Sequence, residues 1–272
     1  MSKRFPKKRY VVDTNYLARP ELGNWLAASG LHYVVLTEFA SIESYKGDTL
    51  KTLFPNMAVL AQFPKQVIVL KGAELTQGLI DRVTNPQLRL IDHAQTAAFV
   101  RYADLVRNPT AYVEEQLLKL GEHANQTMEK MKAFATMTGE VIPGVLSAYT
   151  ENEKRTLRTQ ESLPRDLAHK VMEQVMQISA MWLRAAKVTR APTFDELVDT
   201  LSFREALCTY IWTIRTLKGT SPTNPEKIRN SVVDCSFAAY ATFFDGLWTA
   251  EALPMEVYQA AMGWLKSIRQ AV

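Results

Sequence analysis

The sequence predicts an α/β protein: a three-layer α/β/α arrangement around a central parallel sheet, interrupted by a large all-helical insertion. Three observations predict it. Short apolar runs alternate with amphipathic stretches over the first part of the chain, as in parallel strands joined by helical crossovers. Between about 74 and 220 no strand-like run occurs, and apolar residues recur at three- and four-residue intervals. Near the C-terminus a short strand pattern returns between two helices. The expected organisation is therefore a first sheet segment over 1–73, a helical insertion over 74–220 and a second sheet segment over 221–272.

The elements follow in order. Residues 10–13 read as a short buried strand ending at Asp13. Pro20 suits the first turn of a helix over about 21–29, with Leu22, Trp25 and Leu26 on one face. A second strand over 32–36 leads into a helix opening near Glu38. Gln66-Val67-Ile68-Val69-Leu70, bounded by Pro64 and Gly72, reads as a third strand. In the insertion, helical stripes run over 112–135 and 167–186, with breaks at Pro143-Gly144 and Ala191-Pro192. Thr193 through Glu196 form a capping box for a helix reaching about Leu217. Ser221 to Thr223 form a turn, Asn224 suits an N-cap, and Pro225 opens a helix to about 243. Gly246 to Trp248 gives the last strand, and Pro254 starts a terminal helix.

Composition narrows the function classes. The chain has 272 residues and is 47% hydrophobic, enough for one large domain or two smaller ones. Its two cysteines, Cys208 and Cys235, cannot build a disulfide framework, and its four histidines show no zinc spacing. No apolar run has the length of a membrane span, and the basic N-terminus lacks the apolar stretch of a signal peptide, so a cytoplasmic protein without a membrane partner is expected. No phosphate-binding glycine fingerprint occurs, and no histidine has a Ser or Cys partner for a triad. Net charge is only +4, but Lys3, Arg4, Lys7, Lys8 and Arg9 crowd the segment before the first strand. Such an arm holds phosphates by counterion release, and it equally fits a solvated terminus.

Carboxylates carry the chemistry. Asp13 ends the first strand, Glu38 follows the second, Asp234 lies on a late helix, and Glu251 follows the last strand. Acids beyond the carboxyl ends of parallel strands converge where such sheets bind ligands. Clustered carboxylates repel, which implies a cation, and hard oxygen donors select magnesium or manganese. Asn230 shares a helix face with Asp234, four residues apart. Lys227 and Arg229 lie nearby, and Glu153, Lys154, Arg155, Arg158 and Arg165 form a mixed charge run that fits a solvated face or an RNA groove.

These residues resemble the PIN-domain nucleases. The resemblance lies in Val11-Val12-Asp13-Thr14-Asn15, in Leu36-Thr37-Glu38, in Asn230 through Asp234 to Ala241, and in Phe244 through Thr249-Ala250-Glu251. Asp13, Asn15, Glu38, Asp234 and Glu251 match the family's places in order. The match covers the two ends of the chain. Two departures stand out. The gap between Glu38 and Asp234 is far longer than usual, which loop-closure entropy tolerates. The last acid is Glu rather than Asp.

The resemblance implies metal-dependent cleavage of single-stranded or structured RNA in a toxin, RNA-processing or defence role. Asp13, Glu38, Asp234 and Glu251 would be the metal-binding and catalytic acids. Asn15, Asn230, Lys7, Lys8 and Arg9 would meet the RNA. Two ions about 3.5–4 Å apart would clamp the attacking and leaving oxygens. An inhibitory or accessory protein is a candidate partner through the insertion, and an oligomer is open. Alternatives remain at each position. Asp13 suits an N-cap, while Glu38 and Glu251 suit first-turn acids of helices. Glu43 rivals Glu38 but lies a turn and a half deeper, and Asp245-Gly246 fits a turn. A non-catalytic RNA-binding or protein-binding module, an interaction protein built on the bundle, and a flap-type DNA nuclease are the alternative functions.

Overall fold

A computed structural model describes residues 7–81, 83–159, 163–217 and 224–271; Lys3, Arg4 and the turn at 221–223 lie outside them. The described elements run β1 (Lys8–Val12), α1 (Thr14–Leu17), α2 (Pro20–Ala28), β2 (His32–Leu36), α3 (Glu38–Tyr45), α4 (Thr49–Gln62) and β3 (Val67–Val69). They continue with α5 (Ala73–Thr76), α6 (Pro86–Leu90), α7 (His93–Arg107), α8 (Ala111–Ser147), α9 (Glu151–Thr159) and α10 (Arg165–Ala185). Last come α11 (Phe194–Val198), α12 (Leu201–Thr216), α13 (Pro225–Ala241), β4 (Gly246–Trp248) and α14 (Ala252–Ala271). The protein is thus α/β and largely helical. No helix among the described residues is long and apolar enough to cross a membrane.

The strands form a four-stranded, all-parallel sheet of order β3-β2-β1-β4. β1 pairs with β2 from Lys8–His32 to Val11–Val35, and with β4 from Tyr10–Gly246 to Val12–Trp248. Consecutive residues Val11 and Val12, and Val34 and Val35, are fully buried. Burial of successive residues means that both faces of these strands are covered, as parallel sheets require. At Gly246 a Cβ would lie 2.5 Å from the Tyr10 ring, so only glycine lets that ring lie across β4.

By its contacts the chain divides into two compact units. The first gathers the described residues within Met1–Ala73, Gln87–Lys130 and Phe243–Ala252, including the whole sheet. Inside it α4 packs on α3 and α7, and α7 also packs on β3. Gly121 of α8 abuts Thr49, whose side chain occupies the place of a Cβ. Gly121→Ala is therefore expected to cost about 1–3 kcal/mol by overpacking, despite the better helix propensity of alanine, as urea denaturation would measure.

The second unit gathers the described residues within Glu74–Pro86, Met131–Thr242 and Leu253–Val272. At its centre lies α12, packed against α10 and α13. Every residue from Leu201 to Thr213 is buried, and a helix buried all round is a core helix. The units cut the chain differently from the three expected segments: 87–130 group with the sheet, and α13 groups with the bundle.

Two helices depart from expectation. The helix expected to run from 194 to 217 is two, α11 and α12, because Thr200 caps anew with its hydroxyl accepting the Phe203 N–H at 3.0 Å. Conversely, α8 continues through Pro143-Gly144 to Ser147 rather than breaking there. Proline removes one N–H and crowds the preceding turn, and so close to a helix end little ladder remains to be lost.

Candidate functional site

The site is built where the strand order reverses. β1, β2 and β3 succeed one another in one direction, and β4 returns to the other side of β1. Open α/β sheets bind ligands in the crevice beyond the carboxyl ends of strands at such a reversal. Asp13 stands just past β1, and Thr249 and Glu251 just past β4. The last ladder bond, from the Asp13 N–H to the Trp248 carbonyl at 2.9 Å, fixes the two strand ends against each other.

Side chains then knit these ends together. Asn15 Nδ2 donates to Asp13 Oδ2 at 2.7 Å and to Glu251 Oε1 at 3.0 Å. Its Oδ1 accepts the Ala250 N–H at 3.0 Å. Thr249 Oγ1 donates to Asp13 Oδ2 at 2.7 Å and accepts the Glu251 N–H at 3.0 Å. Asp13 occupies the backbone N-cap position of α1, yet its carboxylate makes no capping bond. Its two side-chain hydrogen bonds, from Asn15 and Thr249, both reach Oδ2, and the Asn15 backbone N–H also favours its charged form.

Asp13 is only 4% exposed. Burial pushes its pKa from an ordinary 3.8 up to about 6; the Thr249 hydroxyl opposes this, and the charges of Glu43 and Glu251 add to it. Glu43 is itself held by Thr14, whose hydroxyl donates to Oε2 at 2.8 Å, and by Lys46 at 3.0 Å. Because the Thr249 hydroxyl lowers the pKa of Asp13, Thr249→Val is expected to raise it above about 6. Carboxyl-carbon NMR titration of Asp13 would measure the change.

Other expected site residues are placed differently. Glu38 opens α3, and its carboxylate accepts the Ala73 N–H at 2.8 Å. The charge acting on Asp13 from this helix is that of Glu43. Asp234 and Asn230 belong to the second unit, on α13. There Asn230 Oδ1 accepts the Arg229 guanidinium at 2.9 Å, and Asp234 raises the Cys235 thiol after burial and Cys208. Of the basic segment, Arg9 is tied to Asp245, which accepts the Arg9 N–H at 2.7 Å and its Nε at 3.5 Å. Lys7 lies over the Tyr33 ring at 5.5 Å, and Lys8 is exposed at the start of β1. In the mixed charge run, Glu153 pairs with Lys170, and Lys154 with Glu151.

Sequence reasoning undervalued Glu43 and Thr249. Depth in the helix counted against Glu43, but α3 begins at Glu38, so a turn and a half brings its side chain to Thr14. Thr249 carried a signal, a hydroxyl donor two residues before an acid at a strand end.

The donor set suits a hard cation. Asp13 and Glu251 offer carboxylate oxygens bound by few protein donors, and their mutual repulsion is relieved by positive charge. Among the described residues no three His, Cys, Asp or Glu side chains gather as a ready metal cage. Magnesium is commonly held by one or two carboxylates with water and substrate phosphate completing the shell, and this pair fits that mode. No protein-family model matches the chain, and neither a curated protein nor a solved structure was found to be similar to it.

Proposed function

We propose that this protein is a metal-dependent endoribonuclease of PIN-like, three-layer fold, with Asp13 and Glu251 as the acids of the first unit that serve magnesium or manganese and Glu43 as a further negative charge acting on Asp13. The carrying observation is the Asn15 bridge, which fastens Asp13 to Glu251 across the point where the strand order reverses. When bound, the divalent ion would acidify a water and offset negative charge on the phosphate under attack.

The chain's own residues supply the rest. Asn15 and Thr249 both hold Oδ2 of Asp13, so that carboxylate is fixed before substrate arrives. Thr14 and Lys46 fix Glu43 in the same way. Glu251, exposed at the rim, is oriented by Asn15 and meets solvent and substrate. Such preorganisation leaves little to rearrange as charge develops. Glu38 and Asp234, assigned by the sequence pattern, enter this reading as separate tests.

The absence of a ready three-acid cage among the described residues favours a second reading, a PIN-like module that binds RNA without cutting it. Incubation with labelled single-stranded RNA in manganese decides between them. Cleavage by wild type that is lost in EDTA and in Asp13→Asn supports the nuclease. Retained binding with no cleavage in either metal overturns it in favour of the module, and preferential cutting of branched DNA would make it a flap-type nuclease. Asp234→Asn and Glu38→Gln, run in parallel, show whether those carboxylates contribute.

A further inference from the structure

Two residues that organise the carboxylates each adjoin an aromatic ring in sequence. Tyr16 follows Asn15, and Trp248 precedes Thr249. Their rings meet edge to face, 5.2 Å between centroids. From Trp248 the contact continues to Trp25 at 4.8 Å and to Tyr10 at 5.9 Å, and Trp25 stacks flat on His32 at 4.4 Å and 4°. Strand alternation explains the grouping. Tyr10, Val12 and Trp248 project from one face of the sheet in register, and Gly246 makes room for the Tyr10 ring.

This run is not sealed into the core. Tyr10, Tyr16, Trp25, His32 and Trp248 are all partly exposed, and β4 is an edge strand. The exposed Arg19 places its guanidinium 5.4 Å from the Tyr16 centroid and has no ion pair among the described residues. A partly exposed aromatic run beside a guanidinium that donates to the Asn15 carbonyl at 3.5 Å and has no ion pair among the described residues suits a ligand that combines π faces with negative charge. Tyr16 lies three residues after Asp13, and Trp248 three before Glu251; three residues span at most about 11 Å of backbone.

Resting on the nuclease reading above, we propose that the run Tyr16, Trp248 and Trp25 is a stacking platform for the bases of single-stranded RNA. The platform leads the scissile phosphate to Asp13 and Glu251, and Arg19 meets a phosphate beside it. Base–aromatic stacking is indifferent to sequence because every base has a π face, so the platform selects unpaired strands rather than a base.

The test compares binding of the full chain, in calcium and separately in EDTA, to labelled oligouridine and to an abasic oligoribonucleotide of equal length. The expected result is at least about tenfold weaker binding of the abasic strand. Tyr16→Ala is expected to weaken oligouridine binding by about as much, while Tyr16→Phe retains it. Arg19→Gln should reduce the salt dependence by about one phosphate contact. Equal affinity for the two strands, or a folded Tyr16→Ala protein that binds as wild type does, overturns the platform. If manganese-dependent cleavage survives that result, the nuclease reading stands without the platform; if no RNA is bound at all, both fall. Should Tyr16→Ala fail to fold, the two strands with wild-type protein decide the question.

Discussion

Replacing Asp13 by asparagine is expected to do two opposite things: abolish RNA cleavage and raise stability at neutral pH. On cleavage, the substitution removes the one buried carboxylate of the pair that Asn15 joins. Loss of a ligand for a charge-stabilising ion is expected to lower the rate by about two to three orders of magnitude or more. On stability, the shape is kept. The new amide oxygen can accept the same two donors, Asn15 Nδ2 and Thr249 Oγ1.

The pH dependence has a definite sign. The folded pKa of Asp13, about 6, lies above its ordinary 3.8, with burial the largest cause. The folded state therefore binds the proton more tightly than the unfolded state does. Its contribution is fully present below about pH 4 and is lost as the pH rises through about 6. The loss is about 3 kcal/mol by pH 7.5. Asp13→Asn has no such loss, so urea midpoints should fall between pH 4 and 6.5 for wild type and remain comparatively flat for the variant. Manganese should raise the wild-type melting temperature at pH 7.5, because a ligand of the folded state stabilises it, and should do little for the variant. A variant as unstable as wild type at pH 7.5 would show that Asp13 is not strained there, and one equally responsive to manganese would show that it is not a ligand.

Legibility in the sequence followed the range of the forces involved. β2 lies at the expected residues, and β4 likewise, because runs such as Tyr33-Val34-Val35-Leu36 are too short and too β-branched for a helix and are closed by turn residues. The capping box at Thr193 and the Asn224 cap are local and formed as written: Asn224 Oδ1 accepts the Glu226 N–H at 2.8 Å. The division of α11 from α12 is hidden in the sequence because the cap of Thr200 competes with an unbroken apolar stripe. At the site, the placement of Asp13 and Glu251 at the same end of the sheet follows from parallel topology. The choice between Glu38 and Glu43 does not, because the rotation of α3 about its axis is set by tertiary packing. The role of Asn15 as a bridge was equally invisible, since it depends on β1 and β4 being neighbours, a contact between residues more than two hundred positions apart.

The second large effect is expected inside the second unit, at Arg204. This arginine, in the first turn of α12, is 1% exposed. Its Nη1 donates to the Thr242 carbonyl at 2.7 Å and to Thr242 Oγ1 at 3.1 Å, its Nε to the Val198 carbonyl at 3.3 Å, and its Nη2 to Asp199 Oδ1 at 3.1 Å. One guanidinium thus ties the end of α13 and the end of α11 to the first turn of α12. Burial pulls its pKa down to about 10 and Asp199 opposes the fall, so the group remains charged at neutral pH. Arg204→Met keeps much of the apolar stem but removes every donor, leaving two carbonyls and a carboxylate without their guanidinium. The expected cost is about 3–5 kcal/mol, read as a lower urea midpoint by circular dichroism. Arg204→Lys should recover little of it, because one ammonium cannot reproduce a planar fork aimed in three directions. Asp199 also accepts from Arg269 at 3.3 Å, so Asp199→Asn should cost less than Arg204→Met, and the double variant less than the sum of the two. A loss below about 1 kcal/mol for Arg204→Met would mean that its partners find other donors, and that packing of the α12 stripe alone holds this unit together.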